Sequence, residues 1–234
     1  MKMSHYPDIS SAAKLIADPS RAVILQSLMS VDGLPASELA HKAGISVQTA
    51  SSHLSKLIEG NLLTVERHGR HKYYRLANSR VAEIIESLSI IAPEPKVHSF
   101  NSYNTVHKLK KARSCYDHLA GLLGVSITEA FINNRYLEDH PNEKEYKVTE
   151  AGVLFFNGWG IDVEHLRTLN RYFAKKCLDW SERKYHLAGS LGNEVMKYMI
   201  KALWIEKKSN REISITELGI KKLKTELGVI ISEE

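Results

Sequence analysis

Between Ala36 and Leu76 the hydrophobic period of the chain changes in a set order, and that order excludes most folds. Apolar residues at helical spacing predict a short helix over Ala36–Ala43, stopped by Gly44, and a second over Val47–Glu59, capped by Ser46 and stopped by Gly60. The period then drops to two: residues 62–67 and 71–76 alternate, and His68-Gly69-Arg70 joins them as a β-hairpin. Upstream, the spacing predicts helices over residues 9–17 and from Pro19 to about Met29, with Asp18 as N-cap of the latter and residues 31–35 as a turn. Downstream, Ser79–Ile91 carries Val81, Ile84, Ile85, Leu88 and Ile91 at helical spacing. So small a domain cannot bury all of that stripe, so a second subunit is expected to cover part of it.

Helix, tight turn, helix and basic hairpin is the order of a winged helix-turn-helix, whose second helix enters a major groove. Val47, Ala50, Leu54, Leu57 and Ile58 fall on one stripe of that helix, which is expected to be buried. Gln48, Thr49, Ser52 and Lys56 fall on the opposite face, with Ser46 at its start and His53 on the flank. Short polar side chains of this kind read base edges: Gln pairs bidentately with adenine, and Ser or Thr reaches most bases. Lys56, Arg70 and Lys72 are then expected on phosphates, with Tyr73 or Tyr74 either on sugar or in the hairpin core. Charge agrees locally rather than globally. The whole chain has 32 Lys+Arg against 27 Asp+Glu, too mild an excess to identify a nucleic-acid ligand. Residues 46–75, however, hold five basic side chains, Lys56, Arg67, Arg70, Lys72 and Arg75, against Glu59 and Glu66, with His53, His68 and His71 added.

The string LPASELAHKAGISVQTASSHLSKLIEGNLLTVERHGRHKYYRLA resembles the ArsR/SmtB family of bacterial dimeric repressors. The family pattern is a Gly-hydrophobic-Ser turn, a T-x-S-x-H-L-x-x-L recognition helix and a G-R-x-x-Y-Y wing. Thr49, Ser51, His53, Leu54 and Leu57 match the helix, and Gly69, Arg70, Tyr73 and Tyr74 match the wing. The resemblance covers roughly residues 9–91 and implies a homodimer that binds a palindromic operator and releases it when an effector binds. It adds Ser51 to the DNA-contacting set. Metal-sensing members carry Cys residues in the helix before the recognition helix, or Asp and His ligands on the last helix of the domain. Ala36–Ala43 has no Cys and Ser79–Ile91 no Asp or His, so a sensor is expected elsewhere in this chain.

The second half repeats itself. His118-Leu-Ala-Gly-Leu-Leu-Gly124 recurs as His186-Leu-Ala-Gly-Ser-Leu-Gly192 at an offset of 68, and Tyr146-Lys-Val-Thr-Glu-Ala-Gly152 matches Ile213-Ser-Ile-Thr-Glu-Leu-Gly219 at an offset of 67. Each copy reads as helix, turn, helix, polar hairpin, a short strand ending in Thr-Glu, and a closing helix. The hairpin tips fall at residues 133–145 and 206–211. The expected architecture is therefore mainly α with small β-hairpin wings, an α+β class. It has a winged helix-turn-helix DNA-binding and dimerisation domain over residues 1–91 and a linker over 92–104 around Pro93 and Pro95. Residues 105–234 then form an effector or oligomerisation domain of two degenerate winged-helix-like repeats, about 118–157 and 186–225. Lys96, Lys108, Lys110, Lys111 and Arg113, with no acidic residue among them, can add nonspecific phosphate contacts.

The two cysteines precede the repeated motif, in Cys115-Tyr-Asp-His118 and in the longer run from Cys177 to His186. Two thiolates and two imidazoles suit a tetrahedral site for zinc or a softer ion such as cadmium or lead. The same residues also suit a redox pair, or two small buried thiols with no ligand at all. Cys177 is not the repeat equivalent of Cys115, since 115 + 68 falls on Arg183, so any site is expected to be asymmetric. Trp159, Trp180 and Arg183 either line a pocket for an anion or aromatic ligand or form core and surface pairs. Similar long members of the family carry the same C-Y-D-H-L-A-G and D-W-S-E-R extension.

No run of about 18 apolar residues is present, and the first 15 residues are too polar for a signal peptide, so a cytoplasmic protein without membrane contact is expected. Its expected partners are double-stranded operator DNA, a second copy of itself and a small effector or metal ion. No cofactor is expected to be required for the fold, although the Cys/His group can take a divalent soft metal. No Gly-rich phosphate loop, Ser-His-Asp order or carboxylate pair points to catalysis, so the expectation is a regulator and not an enzyme. The alternatives are a Cys-dependent enzyme carrying a DNA-binding module, and an adaptor that holds a protein through the repeats.

Overall fold

Asp8, Asp18 and Ser46 each turn a side-chain oxygen onto free N–H groups of the helix that follows, and these caps fix where three N-terminal helices begin. The computed structural model of the chain describes residues 6–29, 31–93, 100–208 and 211–231. Within them the order is α1 (Ile9–Ile16), α2 (Pro19–Ser27), β1 (Leu34–Pro35), α3 (Ala36–Ala43), α4 (Val47–Glu59), β2 (Leu63–His68), β3 (His71–Leu76) and α5 (Ser79–Ile91). The predicted helices and hairpin are all present. The turn expected at residues 31–35 instead ends in a strand: Leu34 pairs with Tyr74 and Pro35 with Tyr73, giving a sheet of order β1-β3-β2. Pro35 is tolerated there because β1 is an edge strand, where its missing N–H costs no ladder bond. Ile24, Leu25, Leu39, Leu54 and Leu57, each at most 1% exposed, form the centre of this unit.

The chain divides into two units, residues 1–85 and 86–234. The division falls inside α5, whereas the sequence suggested an end at residue 91 followed by a linker over 92–104. Residues 94–99 lie outside the described set, and α6 (Phe100–Lys111) already begins inside the expected linker. Pro93 and Pro95 suggest a linker, yet a proline bars helix only near its own position.

The second unit continues with β4 (Arg113–Cys115), β5 (His118–Ala120), α7 (Gly121–Asn133), β6 (Leu137–Glu138), β7 (Lys147–Val148) and α8 (Glu150–Gly158). After α9 (Val163–Arg167) the same order returns as β8 (Lys176–Leu178), β9 (Tyr185–Leu187), α10 (Gly189–Lys201), β10 (Ile205–Lys207), β11 (Ile213–Ile215) and α11 (Glu217–Lys222), which runs into a π-helical turn. Where the sequence suggested a turn between two helices, each copy has a two-stranded antiparallel hairpin. Its strands are three residues long, too short to show a period of two. The tips expected at residues 133–145 and 206–211 are narrower in the first copy, where α7 runs to Asn133. In the second copy, residues 209–210 are outside the described set.

Repeated residues do repeated work. Gly121 and Gly189 open α7 and α10 at φ +74° and +80°, a left-handed conformation that favours glycine. Thr149 and Thr216 cap α8 and α11, each accepting at 2.9 Å from the N–H of the glycine three residues on. The packing is reciprocal: α7 lies on β9 and α10 on β5. The Leu187 N–H donates to the buried Thr128 hydroxyl at 2.8 Å across this junction. Phe131, Phe156, Leu123, Leu191 and Met199 fill one shared core. No helix among the described residues is long and apolar enough to cross a membrane.

Candidate nucleic-acid interface and metal centre

On α4, Ala50, Leu54 and Leu57 are buried while Gln48, Thr49, Ser51, Ser52 and Lys56 are exposed. Two members of the expected apolar stripe behave differently. Val47 is 46% exposed and Ile58 half-buried. Val47 sits in the first turn, where the apolar stripe of α4 runs past the core, so it is open to solvent. Ser46 is the N-cap: its Oγ accepts from the Thr49 N–H at 3.1 Å and lies 2.9 Å from Thr49 Oγ1, so both hydroxyls already serve the helix start. His53 is half-buried, with Nδ1 3.3 Å from Arg21 Nη1. Arg21 also donates to the carbonyls of Leu15 at 2.6 Å and Lys14 at 2.7 Å, so it joins α1, α2 and α4. This role was not visible in the sequence, because Arg21 lies 32 residues from His53.

On the wing, Arg70 and Lys72 are exposed, Tyr73 is half-buried with its ring edge-on to His68, and Tyr74 is in the core. Arg75 pairs with Glu66 at 3.0 Å and is spent internally. The register adds a residue that sequence reasoning did not select. Arg67 stands directly opposite Lys72, and both are exposed. Like charges in that position repel and destabilise a hairpin, so the pair makes physical sense against an anion.

In the second unit, Cys115 pairs with His118 across β4–β5, and Cys177 pairs with His186 across β8–β9. Directly opposite residues present their side chains on one face, so each hairpin offers one sulfur and one imidazole. Reciprocal packing then brings the two hairpins together. The sulfurs are 3.9 Å apart, the two His Nε2 atoms are 3.2 Å apart, and all four donor atoms lie within 4.8 Å of one another. The asymmetry expected from the sequence is thereby corrected. The Cys–His separation is three residues in the first hairpin and nine in the second, and the six extra residues sit in the loop after Cys177 without disturbing the register. Gly124 and Gly192 permit the approach, since a Cβ on either would press on the Leu119 or Leu187 carbonyl and face the other repeat's histidine.

Each Cys-x-Asp supplies a carboxylate behind the histidine of its own hairpin. Asp117 Oδ1 is 3.2 Å from His118 Nδ1, and Asp179 Oδ2 is 3.2 Å from His186 Nδ1. The second approach is off-line and leaves that buried nitrogen without a well-aligned acceptor. Behind the carboxylates stand Arg171, 2.7 Å from Asp117, and Arg113, 2.8 Å from Asp179. Burial opposes ionisation of Asp179, but His186 and Arg113 hold its carboxyl well below the usual range. Burial likewise opposes protonation of His118, yet the neighbouring Cys115 and Asp117 lift it to about 9. The Cys115 thiol is pushed up by its contact with Cys177 and by burial, the opposite of an activated nucleophile.

Other expectations resolve as structure. Arg113 is 1% exposed, its guanidinium 4.5 Å from the Trp180 ring centre, and is unavailable to phosphate. Lys108 pairs with Glu212 at 3.4 Å, and Lys96 lies outside the described residues. Trp159 is half-buried against the core and stacks on Tyr198, and the exposed Arg183 donates to the Ile90 carbonyl at 2.7 Å.

A family described as "Helix-turn-helix domain" matches residues 16–66. The uncharacterized HTH-type transcriptional regulator YdfF of Bacillus subtilis (strain 168) is 46% identical over 214 residues, which span 91% of this chain and 94% of YdfF. The arsenical resistance operon repressor of Staphylococcus aureus is 33% identical over 86 residues, 37% of this chain and 82% of the repressor. The cadmium resistance transcriptional regulatory protein CadC of Listeria innocua is 28% identical over 80 residues, 34% of this chain and 67% of CadC.

Proposed function

Because this chain belongs to the ArsR/SmtB family of winged helix-turn-helix transcriptional regulators, in a long form with a C-terminal extension, we propose that it is a homodimeric repressor whose α4 reads an operator and whose wing holds the flanking phosphates. The carrying observation is the α4 face, where Gln48, Thr49, Ser51 and Ser52 are exposed over a buried Ala50-Leu54-Leu57 stripe. Gln48 and Ser52 take base edges, Val47 offers an apolar contact for a thymine methyl, and Lys56, Arg67, Arg70 and Lys72 take phosphates. Homodimer formation is supported by α5, where Ile84, Leu88 and Ile91 are 48%, 40% and 81% exposed on one stripe. Two such units read half-sites about one helical turn apart.

Release comes from an effector at the Cys/His group of the extension, as a soft metal ion or as oxidation of the Cys115–Cys177 pair to a disulfide, its two electrons and two protons passing to an external oxidant. The metal reading follows relatives whose names tie them to arsenical and cadmium resistance.

The DNA half is tested with an operator selected from random duplex DNA. Replacing Gln48 and Ser52 together by Ala is expected to cut discrimination against scrambled duplex by at least 10-fold, with nonspecific affinity retained, since each good base contact supplies about 1–3 kcal/mol. Lys72→Ala is expected to weaken all sequences alike and, since a dimer loses two such contacts, to lower the salt slope by roughly 2. Unchanged sequence preference in the Gln48/Ser52 variant would overturn this reading of α4.

A further inference from the structure

We propose that Cys115, His118, Cys177 and His186 bind one zinc-sized divalent ion in a closed, tetrahedral Cys2His2 site that clasps the two repeats of the C-terminal unit together. The effector role of that site rests on the reading above; its occupancy does not.

The distances carry the assignment. Zn–S bonds of about 2.3 Å and Zn–N bonds of about 2.0–2.1 Å at tetrahedral angles put two sulfurs about 3.8 Å apart and two nitrogens about 3.3 Å apart. Here the sulfurs are 3.9 Å apart and the nitrogens 3.2 Å apart. Two opposite edges of one coordination tetrahedron are thus matched by residues from two hairpins, His118 and His186 being 68 residues apart, and all four donor atoms lie within 4.8 Å of one another.

The histidines point the same way. Asp117 favours the N–H on His118 Nδ1 and Asp179 lies 3.2 Å from His186 Nδ1, while the two Nε2 atoms face each other across 3.2 Å in a buried site. Two lone pairs at that distance repel unless a proton or a cation lies between them. A carboxylate behind each metal-bound imidazole is the usual outer arrangement, since it fixes the tautomer and raises ligand basicity.

Charge closes as well. Two thiolates neutralise a divalent ion, while Asp117 and Asp179 are matched by Arg171 and Arg113. Two sulfurs and two imidazoles with no carboxylate in the inner set disfavour magnesium, calcium and manganese, which seek oxygen. Four protein donors leave no open position, so the ion clasps the two hairpins and activates no water.

The test uses the full chain, reduced and stripped with a chelator. Titration with Zn2+ against a chromophoric competitor is expected to give one ion per chain. Cd2+ is expected to add a thiolate charge-transfer band in the ultraviolet, scaled to two sulfurs. Replacing both Cys115 and Cys177 by Ser is expected to weaken zinc binding at least 100-fold and remove the cadmium band. Asp117→Asn, which leaves all four ligands in place, is expected to cost about 10–100-fold in affinity. Failure of the reduced wild-type chain to bind zinc or to show the cadmium band overturns the assignment without any variant having to fold. Wild-type affinity in the Cys115/Cys177 double variant overturns it too. The Gln48/Ser52 variant is expected to bind zinc normally, so failure of the DNA reading and failure of the metal site are separately visible.

Discussion

Asp179→Ala is expected to destabilise the C-terminal unit by about 3–5 kcal/mol, the cost of leaving a buried charge without its partner. Asp179 is 0% exposed and serves five residues. It accepts from Arg113 Nη2 at 2.8 Å, from the Gly121 N–H at the start of α7 at 2.7 Å, and from the Ser181 and Glu182 N–H groups at 2.9 and 3.1 Å, and it backs His186. Removing it strands the Arg113 guanidinium, whose Nε already lacks a partner. Replacing Arg113 as well by Met is expected to restore only part of the loss, because the Gly121, Ser181 and Glu182 N–H groups stay unsatisfied. All three tryptophans, Trp159, Trp180 and Trp204, lie in this half. Urea unfolding followed by their fluorescence, in chelator to remove any bound metal, therefore reads this unit by itself. A loss under 1 kcal/mol would show that solvent reaches Arg113 in the folded chain.

Gly219→Ala and Gly152→Ala are expected to follow, each costing about 1–3 kcal/mol and toward the upper end. A Cβ on Gly219 would overlap the Trp204 carbonyl, and one on Gly152 the Tyr136 carbonyl. Both obstacles are backbone at a strand start, so relief requires shifting the helix against its own hairpin rather than turning a side chain. Gly158 is the control, since it ends α8 with nothing within 4 Å of its virtual Cβ. Gly158→Ala is expected to be neutral or to stabilise by up to about 1 kcal/mol through its higher helix propensity. If all three variants unfold alike, close packing at the capped helix starts is not what selects glycine there.

The N-terminal unit was largely legible in the sequence because its determinants are local. Ser46 caps α4 three residues away and Gly44 ends α3 next door. The wing shows a period of two over six-residue strands. Spacing misleads where the next layer of structure matters. Val47 has the spacing of a core residue and stands outside the core, and Leu34-Pro35 pairs with a strand almost 40 residues on. In the second unit, three-residue strands carry too little pattern to show a period of two, so β4–β5 and β8–β9 leave no hairpin signal in the sequence. Arg113 lay in a run of lysines and looked like surface charge, yet it became one of the most buried side chains because Asp179 meets it from 66 residues away.

The same division holds for the candidate sites. The sequence by itself determined the helix pair and wing and the duplication, and it placed a cysteine and a histidine beside each copy of the repeated motif. Each is written in residue type and short spacing, where backbone hydrogen bonding and side-chain period act over a few residues. Only the tertiary structure decided that Arg67 faces Lys72 and that Cys177 is the counterpart of Cys115. It alone brought the four donor atoms within 4.8 Å of one another. Strand register tolerates a six-residue insertion in a loop, and reciprocal packing of two hairpins sets distances between residues more than 60 positions apart. A fixed offset counted along the chain cannot contain that information, because a loop changes the count without moving the strands.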